Sequence, residues 1–136
     1  MWCPAPADSG DDDGAAVAEF ALVSVLLIFL FLAIAQVAVY LHIRNVVTAS
    51  AAEGARYAAN ADVPAEAGGP RATALIRASV GPSTSAAVSC RSAQVAGPAG
   101  VPVVEVDCDG AVPVFFAPLG RVLPLRTSAR AVEEAP

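Results

Sequence analysis

From Phe20 to Leu41 the chain runs for 22 residues without a charge, interrupted by polar groups only at Ser24 and Gln36. As a helix this is about 33 Å long, which matches the hydrocarbon thickness of a bilayer. The pattern predicts a membrane-spanning helix. Good helix formers continue without proline from His42 to Ala59, and Asn60-Ala61-Asp62-Val63-Pro64 reads as the stop. Past the apolar run, Ile43, Val46, Val47, Ser50, Ala51, Gly54 and Ala58 recur at three- and four-residue spacing, while Arg44, Thr48, Glu53 and Arg56 lie largely elsewhere. That narrow stripe of small residues lets another element come close, so the helix reads as built to pack. An alanine-rich helix of biased composition is the plainer alternative.

Residues 1–13 carry proline, glycine and clustered like charge with no hydrophobic period, and read as an unstructured leader. Pro64 to Pro70 reads as a linker. Ala72 to Val80 reads as a short helix with Ala72, Leu75, Ile76 and Val80 on one side, closed by Gly81-Pro82. The period then becomes two. Val88, Cys90 and Ser92 alternate with Ser89, Arg91 and Ala93; Val104, Val106 and Cys108 alternate with Glu105 and Asp107; the turn signal Ala96-Gly97-Pro98-Ala99-Gly100 lies between them. Ala111 to Phe116 holds Pro113 and is expected as a separate edge strand, Phe115 to Gly120 as a turn. Leu123, Leu125, Thr127, Ala129 and Ala131, alternating with Arg126, Ser128 and Arg130, form the clearest strand. The fold class expected is α+β: a long N-terminal transmembrane and assembly helix, a short helix, and a small antiparallel sheet of three to four strands, with helices on one face and arginines on the wet one.

Three cysteines lie at 3, 90 and 108. If the hairpin pivots on Ala99, position 90 falls opposite 108, 92 opposite 106 and 94 opposite 104, and directly opposed Cβ atoms are about 4.5–5.5 Å apart, close enough to bridge. Such a bond would close a loop of about 18 residues and stabilise the domain by roughly 3 kcal/mol. Two independent buried thiols are the alternative. A zinc site lacks ligands, since only His42 could join the pair. A Cys90–Cys108 disulfide favours a C-terminal domain outside the cytoplasm and a cytoplasmic N-terminus. The positive-inside rule read alone says the reverse, because Arg44 and Arg56 follow the run and no basic residue precedes it. A difference of two arginines is small, and the single-pass, C-terminus-out orientation is the one expected.

Charge narrows the partners. The basic residues are eight arginines in a chain of net charge -5, with no basic stripe for nucleic acid. Chemistry is sparse as well. His42 closes the apolar run and reads as interfacial packing rather than a general base. Glu105, Asp107 and Asp109 lack calcium-loop spacing and read as a solvated strand edge. No phosphate loop, Cys-x-x-Cys or Gly-x-Ser-x-Gly occurs. The expectation is a chain that is not an enzyme, with no catalytic residue, metal or cofactor.

Glu19 needs its own account, because a carboxylate at the mouth of an apolar run is costly unless it snorkels or meets a cation. The heptad Gly14-Ala15-Ala16-Val17-Ala18-Glu19-Phe20 resembles the prepilin-peptidase site of type IV pilin-like proteins. Together with Ala21-Leu22-Val23, the stretch Ala51-Ala52-Glu53-Gly54-Ala55-Arg56-Tyr57-Ala58-Ala59 and the closing Leu125-to-Arg130 strand, it resembles the TadE-like family of minor pseudopilins from tight-adherence pilus systems. The leader differs from the usual pattern in carrying Asp11 to Asp13 where basic residues are common. The resemblance implies processing at Gly14, Ala15, Glu19 and Phe20, with cleavage after Gly14. It divides the chain into a leader (1–14), a transmembrane helix continuing beyond the membrane (15–62) and a small extracytoplasmic domain (63–136). It implies as partners a prepilin peptidase, other pilin-like subunits, the pilus assembly or secretion machine, and the membrane. Cleavage would free an α-amine on Ala15, whose reference pKa of about 8 leaves it mostly protonated at neutral pH. Ala15 and Glu19 then read as the subunit-register pair. A snorkelling Glu19 with no partner is the alternative. An unprocessed, single-pass anchored binding module and a membrane enzyme or its regulator are the competing readings of the whole chain.

Overall fold

The computed structural model describes residues 10–114 and 122–134, with side chains from residue 14 onward within that range. Cys3 and the turn expected over Phe115 to Gly120 lie outside the described residues. The chain divides into two compact units, Met1–Ala35 and Gln36–Pro136.

One helix, α1 (Gly10–Ala58), contributes to both. In the first unit it carries the apolar run, which is long and apolar enough to cross a membrane. Its large side chains have no cover: Phe20 is 74% exposed, Leu22 72% and Phe31 68%. Burying a Leu or Phe is favourable by about 1.5–3 kcal/mol, so a surface of this kind calls for lipid or other helices around it. The leader expected to be unstructured is helical from Gly10 onward. At the other end α1 stops at Ala58, one residue before Ala59, the neighbour of the expected stop signal. The Ala59 N–H still bonds to the carbonyl of Ala55 at 3.0 Å, and Asn60 caps backward onto the Tyr57 carbonyl through Nδ2.

The second unit is a three-stranded antiparallel sheet in the order β1-β2-β3, with β1 Val88–Ala96, β2 Pro102–Pro113 and β3 Val122–Val132. The hairpin register is the one centred on Ala99: Cys90 faces Cys108, Ser92 faces Val106 and Gln94 faces Val104. Ala99 itself sits at φ 58 and Gly100 at φ 79, the left-handed corner that a tight reversal requires. Ala111 to Pro113 corrects the sequence reading. These residues do not form a separate edge strand; they extend β2, which is the central strand. Pro113 is tolerated because of its position. The Ala111 N–H donates to Ala87 at the start of β1 (3.1 Å), so two residues on the missing N–H of Pro113 would point past the end of β1, where nothing awaits a donor.

The expected linker is also structured. Ala65–Ala67 forms a 3-10 turn, and α2 starts at Gly68, before Pro70, and reaches Ser85. Pro70 falls in the first turn, where backbone N–H groups have no intrahelical acceptor and a missing one costs little. The break expected at Gly81-Pro82 is present as a kink inside α2: Gly81 takes φ 81, ψ 168, and a short helical piece follows.

Both helices cover the face of the sheet that carries Val88, Cys108, Val106 and Leu125. Ile43, Val47, Ala51 and Ala55 of α1, with Ala72 and Ile76 of α2, close the core over that face. The small-residue stripe of α1 is thus a packing stripe. A second cluster, Ala58, Ala59 and Val104, continues it. Within the second unit α1 follows β3 in parallel. Tyr40 Oη donates to the Pro124 carbonyl (3.3 Å), Thr48 Oγ1 meets Thr127 Oγ1 (3.1 Å), and the Glu134 N–H donates to Ala59 O (2.8 Å).

Candidate functional site

The residues that the heptad singles out lie on successive turns of α1. Ala15 and Glu19 are four apart and so share one face, one turn above the other. Gly14, Ala15, Glu19 and Phe20 are all exposed. Glu19 makes no ion pair or hydrogen bond with any described residue, and a Cβ placed on Gly14 would meet nothing within 4 Å. Within this single chain Glu19 is therefore an uncommitted carboxylate next to an uncovered apolar surface. The Gly14–Ala15 bond lies inside the helix, in its second turn.

His42 is exposed while its neighbour Ile43 is buried. It takes no part in the core of the second unit.

A site that sequence reasoning reached only in part is the crossing of α1 and α2. A Cβ on Gly54 would lie 2.5 Å from the Gly68 carbonyl oxygen and 3.1 Å from Ala72 Cβ; a Cβ on Gly68 would lie 3.0 Å from the Gly54 oxygen and 3.0 Å from Val106 Cγ2. The two backbones touch. Gly69, next in line, donates its N–H to Ser92 Oγ at 2.8 Å and packs onto the backbone of Cys90 and Arg91. Gly54 was visible as one of the small residues of the stripe. Gly68 and Gly69 were hidden in a Gly-Gly-Pro that has the composition of a linker, and only their tertiary neighbours show why they are glycine.

Cys90 and Cys108 are joined, with sulfurs 2.06 Å and Cα atoms 4.1 Å apart. Odd-numbered residues of β1 exchange backbone hydrogen bonds with β2, as Gly97 N–H to Val101 O (2.8 Å) and Ala111 N–H to Ala87 O show. The cysteines therefore occupy a non-hydrogen-bonded pair, the kind in which facing Cα atoms come closest.

On the opposite face of the sheet, Glu105, Asp107 and Asp109 run down the middle. The expected solvated strand edge is instead the centre of an open sheet face, because β2 has neighbours on both sides. Arg91 of β1 reaches Asp109 at 3.1 Å. Arg130 of β3 holds Glu105 Oε1 through Nε and Nη2, at 2.9 and 2.8 Å. The Arg91–Asp109 pair is well exposed, and such pairs contribute about 0–1 kcal/mol. Together the charges keep this face wet and the strands in register. A cavity of about 570 Å³ opens here, lined among others by Asp107, Arg126 and Ser128.

Comparison with known proteins adds one finding. The family described as TadE-like protein matches residues 14–56. No curated protein and no solved structure matches the chain. The matched segment starts at Gly14, holds Ala15, Glu19 and Phe20, and ends two residues beyond Gly54 at Arg56, so it spans the exposed apolar helix and most of the packing stripe and leaves out the sheet. Over residues 14–56, then, this chain is similar to the TadE-like family, the family that the Gly14-to-Phe20 heptad and the Ala51-to-Ala59 stretch resemble.

Proposed function

We propose that the chain is a minor pilin-like subunit: a prepilin peptidase cuts it between Gly14 and Ala15, its apolar helix packs beside those of other pilin-like subunits, and the disulfide-bearing sheet is displayed outside the cytoplasm. The observation that carries this reading is the family match, which begins at Gly14 and covers the helix whose large apolar side chains stand exposed in the single chain. In this reading the domain is structural and binds through surfaces, and no residue performs catalysis. Glu19 gives the helix a register. A free carboxylate one turn from a new α-amine can meet its own amine or a neighbouring subunit's, and it holds at one height helices whose apolar sides would otherwise slide.

Two substitutions test the two halves. Gly14→Leu changes a residue around which nothing is packed, so the fold is expected to survive. The purified protein should keep its 14 leading residues, where the parent begins at Ala15 by terminal sequencing. A parent protein that begins at Met1 in cells containing the peptidase would overturn the processing claim. Glu19→Ala should leave membrane insertion intact and reduce recovery with co-expressed pilin-like subunits by about tenfold, the equivalent of one charge-assisted contact of roughly 1.4 kcal/mol. Unchanged recovery would remove the register role.

One observation favours a second reading, an unprocessed anchored binding module. The bond to be cut is helical, and a peptidase needs extended backbone, so four or five residues must first unwind. The first turn frays easily, and Gly14 inside a helix already costs about 1 kcal/mol against alanine. The same terminal sequencing separates the two readings.

A further inference from the structure

β3 has one edge paired with β2 and one that is not. The Glu133 N–H donates to the Pro102 carbonyl at 3.1 Å, so odd-numbered residues of β3 bond to β2 and even-numbered ones direct their N–H and C=O groups away from the sheet. The unpaired edge is sealed at both ends. At Pro124 there is no N–H and the carbonyl accepts from Tyr40, and at Glu134 the N–H is taken by Ala59. Between the seals, the outward backbone groups of Arg126, Ser128, Arg130 and Val132 have no partner among the described residues. All four residues are exposed, and Ala129 and Ala131 on the helix-covered face stay only half-buried.

Arginines predominate on the flanks of this window, with Glu134 at its far end. On α1, Tyr40, Arg44, Thr48, Ala52 and Arg56 follow at four-residue intervals, a line that winds about 40° around the helix at each step. Because Tyr40 reaches Pro124 and Thr48 reaches Thr127, that line runs beside β3. Arg56 lies with Ala131, Val132 and Glu134 around a cavity of about 230 Å³. Arg126 and Arg130 stand on the other side. Four of the eight arginines of an acidic chain thus border one strand edge, and of the four only Arg130 has a carboxylate partner among the described residues.

We propose that this window receives an extended, acidic segment of another protein, added as a fourth strand beside β3. Backbone hydrogen bonds would supply the affinity and the arginines the selection. A second copy of this chain does not fit. Its own β3 would set arginines against arginines, and its acidic strand, β2, is central and already paired on both edges.

The test uses the full chain with a flexible Gly/Ser linker and the strand Glu-Val-Asp-Val-Glu-Val-Asp fused after Pro136, in detergent, read by amide hydrogen exchange. A short flexible tether gives an effective concentration in the millimolar range. The Ser128 and Arg130 amides should then exchange about 10-fold more slowly than in the unfused chain, while Thr127 and Ala129, already bonded to β2, stay as they were. A fused strand with lysine in place of each acid should give no such protection. In the double variant R44E/R126E, both positions being exposed, the preference should invert, with the lysine strand protecting and the acidic one not. Equal protection by both strands, or none by either, overturns the proposal. So does edge protection that appears without any fused strand when phosphatidylglycerol is added to phosphatidylcholine nanodiscs, which would assign the arginines to a lipid surface.

Discussion

Replacing Gly54 by alanine is expected to destabilise the second unit even though alanine is the better helix former. The gain in propensity is about 1 kcal/mol. Against it, the new methyl would sit 2.5 Å from the Gly68 carbonyl oxygen, an atom of backbone that cannot rotate away, so α1 and α2 must separate. Overpacking of this kind costs on the order of 3 kcal/mol, leaving a net loss of about 2 kcal/mol. For a unit of roughly 100 residues that lowers the melting temperature by about 10 °C, measurable by circular dichroism in detergent. Gly68→Ala should cost less, because one of its two nearest contacts is a Val106 methyl that can turn. Gly14→Ala is the control: with nothing within 4 Å it should not lower the melting temperature. If Gly54→Ala melted at or above the parent, the close crossing of the two helices would be wrong.

The second large effect is expected from removing the disulfide. Cys90 and Cys108 are 18 residues apart in sequence, and opening the loop they close should cost roughly 3 kcal/mol through the greater freedom of the unfolded chain. The double variant C90A/C108A should unfold at a urea midpoint lower by about 1.5 M for an m-value near 2 kcal/mol/M. Reductant should shift the parent by a similar amount and leave the variant where it is. A parent whose midpoint ignores reductant would show that the bond is not formed or does not contribute.

What the amino-acid order discloses and what it hides differ for a physical reason. Parity is local. Once Gly97, Pro98 and Gly100 mark a reversal, alternation of Val88, Cys90, Val104, Val106 and Cys108 leaves few registers that keep every apolar side chain on one face, and the register centred on Ala99 follows. The stripe on α1 is local in the same sense, and its members Val47, Ala51 and Ala58 are all buried. The stretches that misled carry turn-forming residues whose role is set by remote neighbours. Gly110 and Pro113 look like the end of a strand, yet an added Cβ on Gly110 would collide with the Ala87 carbonyl, so glycine there serves the approach of β1 and lets β2 run on. Gly68-Gly69-Pro70 looks like a linker for the same cause. At the N-terminal site the heptad is legible as a motif, and Glu19 is exposed on α1 one turn after Ala15. The basic window beside β3 was not legible, because it joins side chains from residues 44 to 130 through a packing that no short stretch encodes.

The parallel run of α1 beside β3 also has a mechanical side. Tension applied to the domain through the Gln36 end of α1, along the helix axis, acts in shear on the stripe from Ile43 to Ala58. Every contact in that stripe, the touching glycine backbones included, must then slip together instead of peeling away one after another. A domain loaded in this direction is expected to resist more than one pulled across the same interface, where the contacts would part in turn.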